Sequence, residues 1–141
     1  MAHSELVEAA VRAGLGSAAC FKLSGDKLVN TETGKTYIAK LASGNTAQLI
    51  GEAEGLKRMG ETSPGLVPKL HIFESQHNGE KALFISDFIS LGGMGGNAMI
   101  RLADKMANEL HNHDKQLKDV KGFGFPVPTH CGVTEQDNTW E

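Results

Sequence analysis

The sequence predicts an α+β fold: a five-stranded antiparallel sheet with one helix inserted after its third strand, then a glycine-rich joint and a second long helix. Three observations predict it. Strand-like stretches joined by short glycine turns occupy residues 19–41. From residue 45 an apolar spacing of four, three and three takes over, and strand-like stretches return over 69–89. A length of 141 residues suits one ordinary domain, and 40% apolar with 22% charged residues is a globular balance.

Taken in order, Ser4 is placed to cap a first helix carrying Glu5 and Glu8 in its opening turn. Leu6, Val7, Ala10 and Val11 form its apolar stripe, and Gly14 and Gly16 end it. Residues 19–23 and 27–30 flank Ser24-Gly25-Asp26 and read as a hairpin; Glu32-Thr33-Gly34 then turns into a third strand, 35–41. Leu49, Ala53, Leu56 and Met59 mark one face of the inserted helix, which Thr62 to Pro68 breaks. Two further strands, 69–74 and 81–89, meet across His77-Asn78-Gly79-Glu80, where Asn-Gly is a strong hairpin signal. Gly92 to Gly96 form a flexible joint, and Asn97 can cap a helix to about His111 that buries Ile100, Ala103, Met106, Ala107 and Leu110. The remainder, 112–141, reads as mostly irregular.

Composition narrows the function. A net charge of −3 argues against nucleic acid or an anionic membrane held by bulk charge, and no apolar run is long enough to span a bilayer. The first residues lack the pattern of a signal peptide, and Cys20 and Cys131 are too few and too distant for a disulfide scaffold, so a cytoplasmic, reducing location is expected. His111 and His113 do not share a helix face, so they read as solvated residues at a helix end rather than metal ligands. Cys20 reads as a small buried strand residue, with a redox role as the alternative. Neither G-x-S-x-G nor a Cys-His pair of useful spacing is present.

The element order is that of a protein-kinase-like N-lobe and hinge, and two residues fit it. Tyr37-Ile38-Ala39-Lys40 resembles the V-A-I-K strand that presents a lysine to the ATP phosphates; a solvated strand lysine is the plain alternative. Glu52 lies within the apolar stripe of the following helix, three residues after Leu49 and four before Leu56. An unpaired carboxylate there would be costly, which favours it over Glu54 as the partner of Lys40. Glu54 is expected on the polar side with Lys57 and Arg58. Ser86-Asp87-Phe88-Ile89 would form the hinge, holding adenine through the Asp87 carbonyl and the Ile89 amide; a buried sheet strand is the alternative.

Several motifs then resemble the fructosamine-3-kinase, ketosamine-3-kinase or protein-ribulosamine 3-kinase family, relatives of aminoglycoside phosphotransferases. Gly51-Glu52-Ala53-Glu54-Gly55-Leu56 resembles its F-E-G-E-A-x-G-L helix, and Phe84 to Gly93 its hinge. Leu110-His111, Gly122-Phe123-Gly124-Phe125-Pro126 and the Cys131 to Trp140 stretch, similar to C-G-x-T-x-Q-D-N-x-W, follow in order, so the resemblance covers about residues 15–141. It implies an N-lobe over 1–91, and a hinge exit with the start of a truncated C-lobe over 92–141. It implies ATP and Mg as cofactors, with Lys40 on the phosphates, Glu52 orienting it, Ser24 and Gly25 in the phosphate loop, and Ser86, Asp87, Phe88 and Ile89 on adenine. The implied activity is 3-phosphorylation of ribulosamine or fructosamine adducts on proteins, which leads to deglycation; the implied partners are ATP and a glycated protein or ketosamine.

Two departures stand beside the match. The first hairpin has one glycine where the family has a run, and Asp26 adds negative charge to it. None of the six histidines begins an H-G-D motif, so the catalytic Asp and the Mg ligands are expected beyond residue 141. This chain is therefore expected to be inactive alone, to expose apolar surface along the helix from Asn97 and around Phe123 and Phe125, and to self-associate through that face, which a C-lobe would cover. The alternatives are a non-catalytic kinase-like fragment that binds nucleotide or another protein, and an unrelated α+β interaction domain whose motif matches are chance.

Overall fold

The computed structural model describes residues 2–93, 95–115 and 124–137. Gly122, Phe123 and the stretch from Asn138 to Trp140, cited above for the family resemblance, lie outside the described residues. Strands β1 (Phe21–Ser24), β2 (Lys27–Asn30), β3 (Thr36–Ser43), β4 (Leu70–Gln76) and β5 (Lys81–Asp87) form one antiparallel sheet in the order β1-β2-β3-β5-β4. Helix α1 (Ala2–Arg12) precedes the sheet, α2 (Ala47–Thr62) follows β3, and α3 (Gly96–Lys105) runs into a π-helical turn at Met106–Leu110. The expected five-strand sheet with one inserted helix is therefore present.

Strand alternation divides the core in two. Tyr37, Ala39 and Leu41 of β3 point to a cluster with Leu6, Ala9 and Ala10 of α1. Ile38 and Ala42 join Leu49 and Ala53 of α2 on the opposite face, around the fully buried Phe84. Both faces of the sheet are thus covered, which is why β5 reads as an unbroken apolar run rather than an alternating one.

Polar contacts fix the helices over these faces. Arg12 donates from its guanidinium to both oxygens of Glu74 at 2.8 and 2.9 Å, and Lys81 pairs with Glu5, so α1 is tied to the β4–β5 hairpin at both ends. Buried Asn30 donates to the Leu15 carbonyl at 2.9 Å and accepts the amides of Glu32 and Thr33, joining the exit of α1 to the β2–β3 turn. Thr46, just before α2, makes no side-chain cap and instead donates its hydroxyl to the Gly79 carbonyl. The turn bearing that carbonyl has Asn78 and Gly79 at φ 55° and 93°, the left-handed geometry that an Asn-Gly pair tolerates.

Several boundaries differ from the sequence reading. Ser4 lies inside α1 rather than capping it, and Val11 is exposed because Ala9 takes its place against the sheet. Residues 18–20 form a 3₁₀ turn, so β1 begins at Phe21, and β5 ends at Asp87, leaving Phe88 and Ile89 beyond the strand. No residue of α3 or the following turn is buried: Ile100 is 68% exposed, since no described element packs on its apolar side. That segment is attached by polar bonds instead, with Ser63 and Lys105 both donating to Glu109 and Lys105 reaching the Pro64 carbonyl. The tail is not wholly irregular either: β6 (Thr129–Cys131) and β7 (Thr134–Gln136) form a hairpin, and β6 packs against α2. Phe125, expected to be exposed, is half-buried in the same region.

Truncation of Phe84 to Ala leaves a cavity beneath α2 that strand backbones cannot close. We expect Phe84→Ala to cost about 3–5 kcal/mol of unfolding free energy, read from urea denaturation followed by circular dichroism.

Candidate functional site

Lys40 stands between Ile38 and Ala42 on β3, so its side chain leaves the sheet toward α2. Its Nζ donates to both carboxylate oxygens of Glu52, at 2.7 and 2.8 Å. It also lies 5.5 Å from the ring centroid of Phe84, its cross-strand partner, close enough for attraction to the ring face. Each side chain of the ion pair retains 37% exposure, so solvent screens it, and its effect is to aim the ammonium rather than to stabilise the fold.

The pair borders a cleft of about 510 Å³ that Gly25, Asp26, Asn45 and Gln48 also line. Gly25 takes φ 61°, which a tight two-residue turn requires, and the Ala39 amide donates to the Asp26 carbonyl at 2.7 Å, so the β1–β2 turn is fastened beside Lys40. The structure thus brings Lys40, Glu52 and Gly25 together, with Asp26 as a further carboxylate in the same space. Ser24 is exposed at the end of β1 and does not line the cleft. Glu54 pairs with Arg58 as expected, at 2.6 Å, though this bond is more enclosed than the Lys40 pair, with side chains 20% and 19% exposed.

The remaining residues of the expected site sit apart. Asp87 and Ile89 line a different cleft of about 870 Å³ between the end of α2 and β4. Ser86 is buried at 4% exposure, directly across from Ile38, and Phe88 lies under the Lys27 ammonium at 4.7 Å. Asp87 is the cross-strand partner of Tyr37, and its carboxylate has His71 Nε2 at 2.7 Å and Lys35 Nζ at 3.2 Å. Burial would raise the Asp87 pKa, but the hydrogen bonds and charges of His71 and Lys35 outweigh it and hold the carboxyl below its ordinary value near 3.8. Sequence reasoning passes over His71 and Lys35, one a single histidine in a strand-like run and the other a turn lysine; only strand pairing carries them to one carboxylate.

A second missed feature is the other face of α2. Gly51 and Gly55 are buried there, and a Cβ at Gly51 would come within 2.6 Å of the Pro128 carbonyl oxygen. The glycine lets the chain leading into β6 lie against the helix next to Glu52. Two glycines in the Gly51 to Leu56 motif were the available signal. His130 of β6 lines a smaller cleft with Gln48 and Glu52, and its buried Nδ1 has no hydrogen-bond partner among the described residues.

Among the described residues no group of three His, Cys, Asp or Glu side chains could hold a metal ion, and no helix is long and apolar enough to cross a membrane. Cys20 is buried and Cys131 exposed, both with free thiols, and Cys20 donates to the Ser17 carbonyl within its 3₁₀ turn. His113 and Asp114 are almost fully exposed and 3.9 Å apart.

With this geometry in place, comparison with known proteins is decisive on kinship. A family profile described as "Fructosamine kinase" matches residues 20–141. The chain belongs to the fructosamine kinase family. A protein-ribulosamine 3-kinase, chloroplastic, from Arabidopsis thaliana is 38% identical over 110 residues, covering 78% of this chain and 32% of the relative. Proteins of the same name from Oryza sativa subsp. indica and subsp. japonica are each 32% identical over 126 residues, covering 89% of this chain and 33% of theirs. The chain thus spans about a third of the length of these fructosamine kinase relatives, and no solved structure matches it significantly. The kinase-like N-lobe expected from sequence is consistent with the sheet and helices seen here.

The Asp87 carboxylate supplies a pH test. Because its folded-state pKa is lowered, its contribution to stability is complete above about 3.8 and is lost as pH falls through the folded value. Wild type should exceed Asp87→Asn in thermal stability at pH 7, and the gap should narrow as melting is followed to pH values below about 3.8.

Proposed function

We propose that this chain is the nucleotide-holding part of a kinase that phosphorylates the 3-hydroxyl of ribulosamine or fructosamine adducts on proteins, a reaction leading to their removal. Residues 1–91 act as the N-lobe, and residues 92–141 as hinge exit and the start of a C-lobe. The observation that carries this reading is the bidentate bond from Lys40 to Glu52, with the lysine beside the β1–β2 turn. Family membership and the names of the plant relatives support it.

In this reading Lys40 meets the α- and β-phosphates of ATP as a point charge, and Glu52 holds Nζ in place. The 86–89 segment meets adenine. Lys40 pairs with Phe84, three residues before Asp87, which sets Lys40 about 10 Å from the hinge along the sheet. A nucleotide laid along β3 and β5 would bridge that distance. Mg-ATP supplies the phosphoryl group; none of the described residues offers a metal cage for it, and no H-G-D sequence is present to orient the attacking hydroxyl.

A second reading, a non-catalytic module that contacts another protein or a second copy, is favoured by the apolar side of α3 and by Leu91 at 93% exposure. For location we retain a reducing compartment, supported by the two free thiols. The relatives' names give the chloroplast, so a plastid stands beside the cytoplasm as a candidate.

Calorimetric titration with Mg-ATP separates the two readings. Saturable heat that Lys40→Ala weakens by about tenfold or more supports the nucleotide site, whereas absence of heat at millimolar ATP leaves only the contact role. In a phosphate-transfer assay the 141-residue chain should leave a ribulosamine substrate unmodified. Turnover by a homogeneous sample would contradict the need for further Asp residues.

A further inference from the structure

Asp87 is the last residue of β5, and the segment assigned to adenine begins at its neighbour Ser86. Its backbone amide donates to the Lys69 carbonyl at 2.9 Å, and the next amide, of Phe88, reaches the Thr36 carbonyl at 3.4 Å. After Phe88 the regular bonding stops: among the described residues the Ile89 amide has no hydrogen-bond partner. The last side chain of the segment held by polar bonds before it leaves the sheet is therefore that of Asp87, with Phe88 after it meeting the Lys27 ammonium, 4.7 Å from its ring centre.

That side chain is held from two sides. His71 Nε2 approaches Oδ1 at 2.7 Å from β4, and Lys35 Nζ approaches the same oxygen at 3.2 Å from the turn before β3. The two partners are themselves located by Tyr37, cross-strand partner of Asp87: His71 meets its ring edge-on at 5.4 Å between centroids, and the Lys35 ammonium lies 5.1 Å from the ring centre. His71 is 10% exposed, so its bond to Asp87 is largely shielded from water. Tyr37 belongs to the cluster on the α1 side of the sheet and Asp87 is its cross-strand partner, whereas Lys40 points toward α2; His71 and Asp87 also border the cleft between the end of α2 and β4. None of the four groups lines the Lys40 cleft, so their route to a nucleotide bound there is the backbone of residues 86–89.

We propose that His71, Asp87 and Lys35 form a buttress that positions the 86–89 backbone for reading the nucleobase, making them positioning residues for base recognition while Lys40 governs phosphate affinity. This inference rests on the nucleotide reading above. Loss of the buttress frees the segment to swing, so that base contacts are lost while the phosphate contact is kept.

The test is calorimetric titration of the 141-residue chain with ATP, GTP and inorganic tripolyphosphate, each with Mg. Wild type should bind ATP more tightly than GTP or tripolyphosphate. Asp87→Asn and His71→Leu should weaken ATP by about tenfold, bringing it near tripolyphosphate, and leave tripolyphosphate itself unchanged. His71→Gln, which keeps a donor near the Nε2 position, should recover most of the ATP affinity. Lys40→Ala should weaken all three. Lys35 is half-exposed, so Lys35→Met folds even if a His71 variant does not, and it should weaken ATP selectively by a smaller factor. If the Asp87 and Lys35 variants bind ATP like wild type, or lose ATP and tripolyphosphate equally, the buttress is refuted while the nucleotide reading stands. If wild type binds no ligand, the nucleotide reading falls and takes the buttress with it.

Discussion

The arrangement depends on one constraint: a lysine ammonium rises from an otherwise apolar sheet face and must find a carboxylate without leaving the sheet. Ile38, Ala42 and Phe84 surround the root of Lys40 and offer its charge nothing but a ring face. Glu52 meets that need only if α2 lies across β3 at a fixed rotation and height. Leu49 and Ala53 set the rotation by packing on the sheet. Thr46, bonded to the carbonyl of Gly79, sets the height at the start of the helix. The ion pair is thus a product of apolar packing, and its partial exposure makes it a weak source of stability in its own right.

The other side of α2 extends this logic. A helix that packed on the sheet alone would be free to rock about the Leu49–Ala53 stripe. The chain approaching β6 blocks that motion because Gly51 admits the Pro128 carbonyl where any side chain would collide with it. The helix is therefore enclosed by the sheet and by the tail of the chain. The residue that presents the carboxylate sits beside the glycine that permits the enclosure.

Much of this was legible in the sequence, for a definite reason. The switch from period two to period 3.6 and back is a local signal, and it placed five strands and α2 with errors of a few residues. The Lys40–Glu52 pair was legible because a carboxylate in an apolar stripe demands a cation. Harder to read were features set by packing at a distance. The exposure of Ile100 and Met106 could be expected only by way of the family resemblance, since amphipathicity does not say whether another surface meets α3. Val11 and Ala9 both lie near the stripe of α1, and only the docking angle decides which is buried. The meeting of His71 and Lys35 at Asp87 depends on the order β3-β5-β4, and sequence separation conceals it. Glu54 was legible in its partner, Arg58, but not in its degree of enclosure, which helical spacing alone does not set.

The sheet order has one more consequence. Among the described residues its margins are β1 and β4, since each other strand of this sheet is paired on both sides. The first margin is only four residues long and ends in a tight turn. The second carries a register shift between Leu70 and Ile72, and its Glu74 is occupied by Arg12. Neither offers another chain a long regular row of amides and carbonyls on which to build. Growth of the sheet by strand addition, the first step of many aggregates, is thus discouraged at both ends, and contacts between copies are left to the helices.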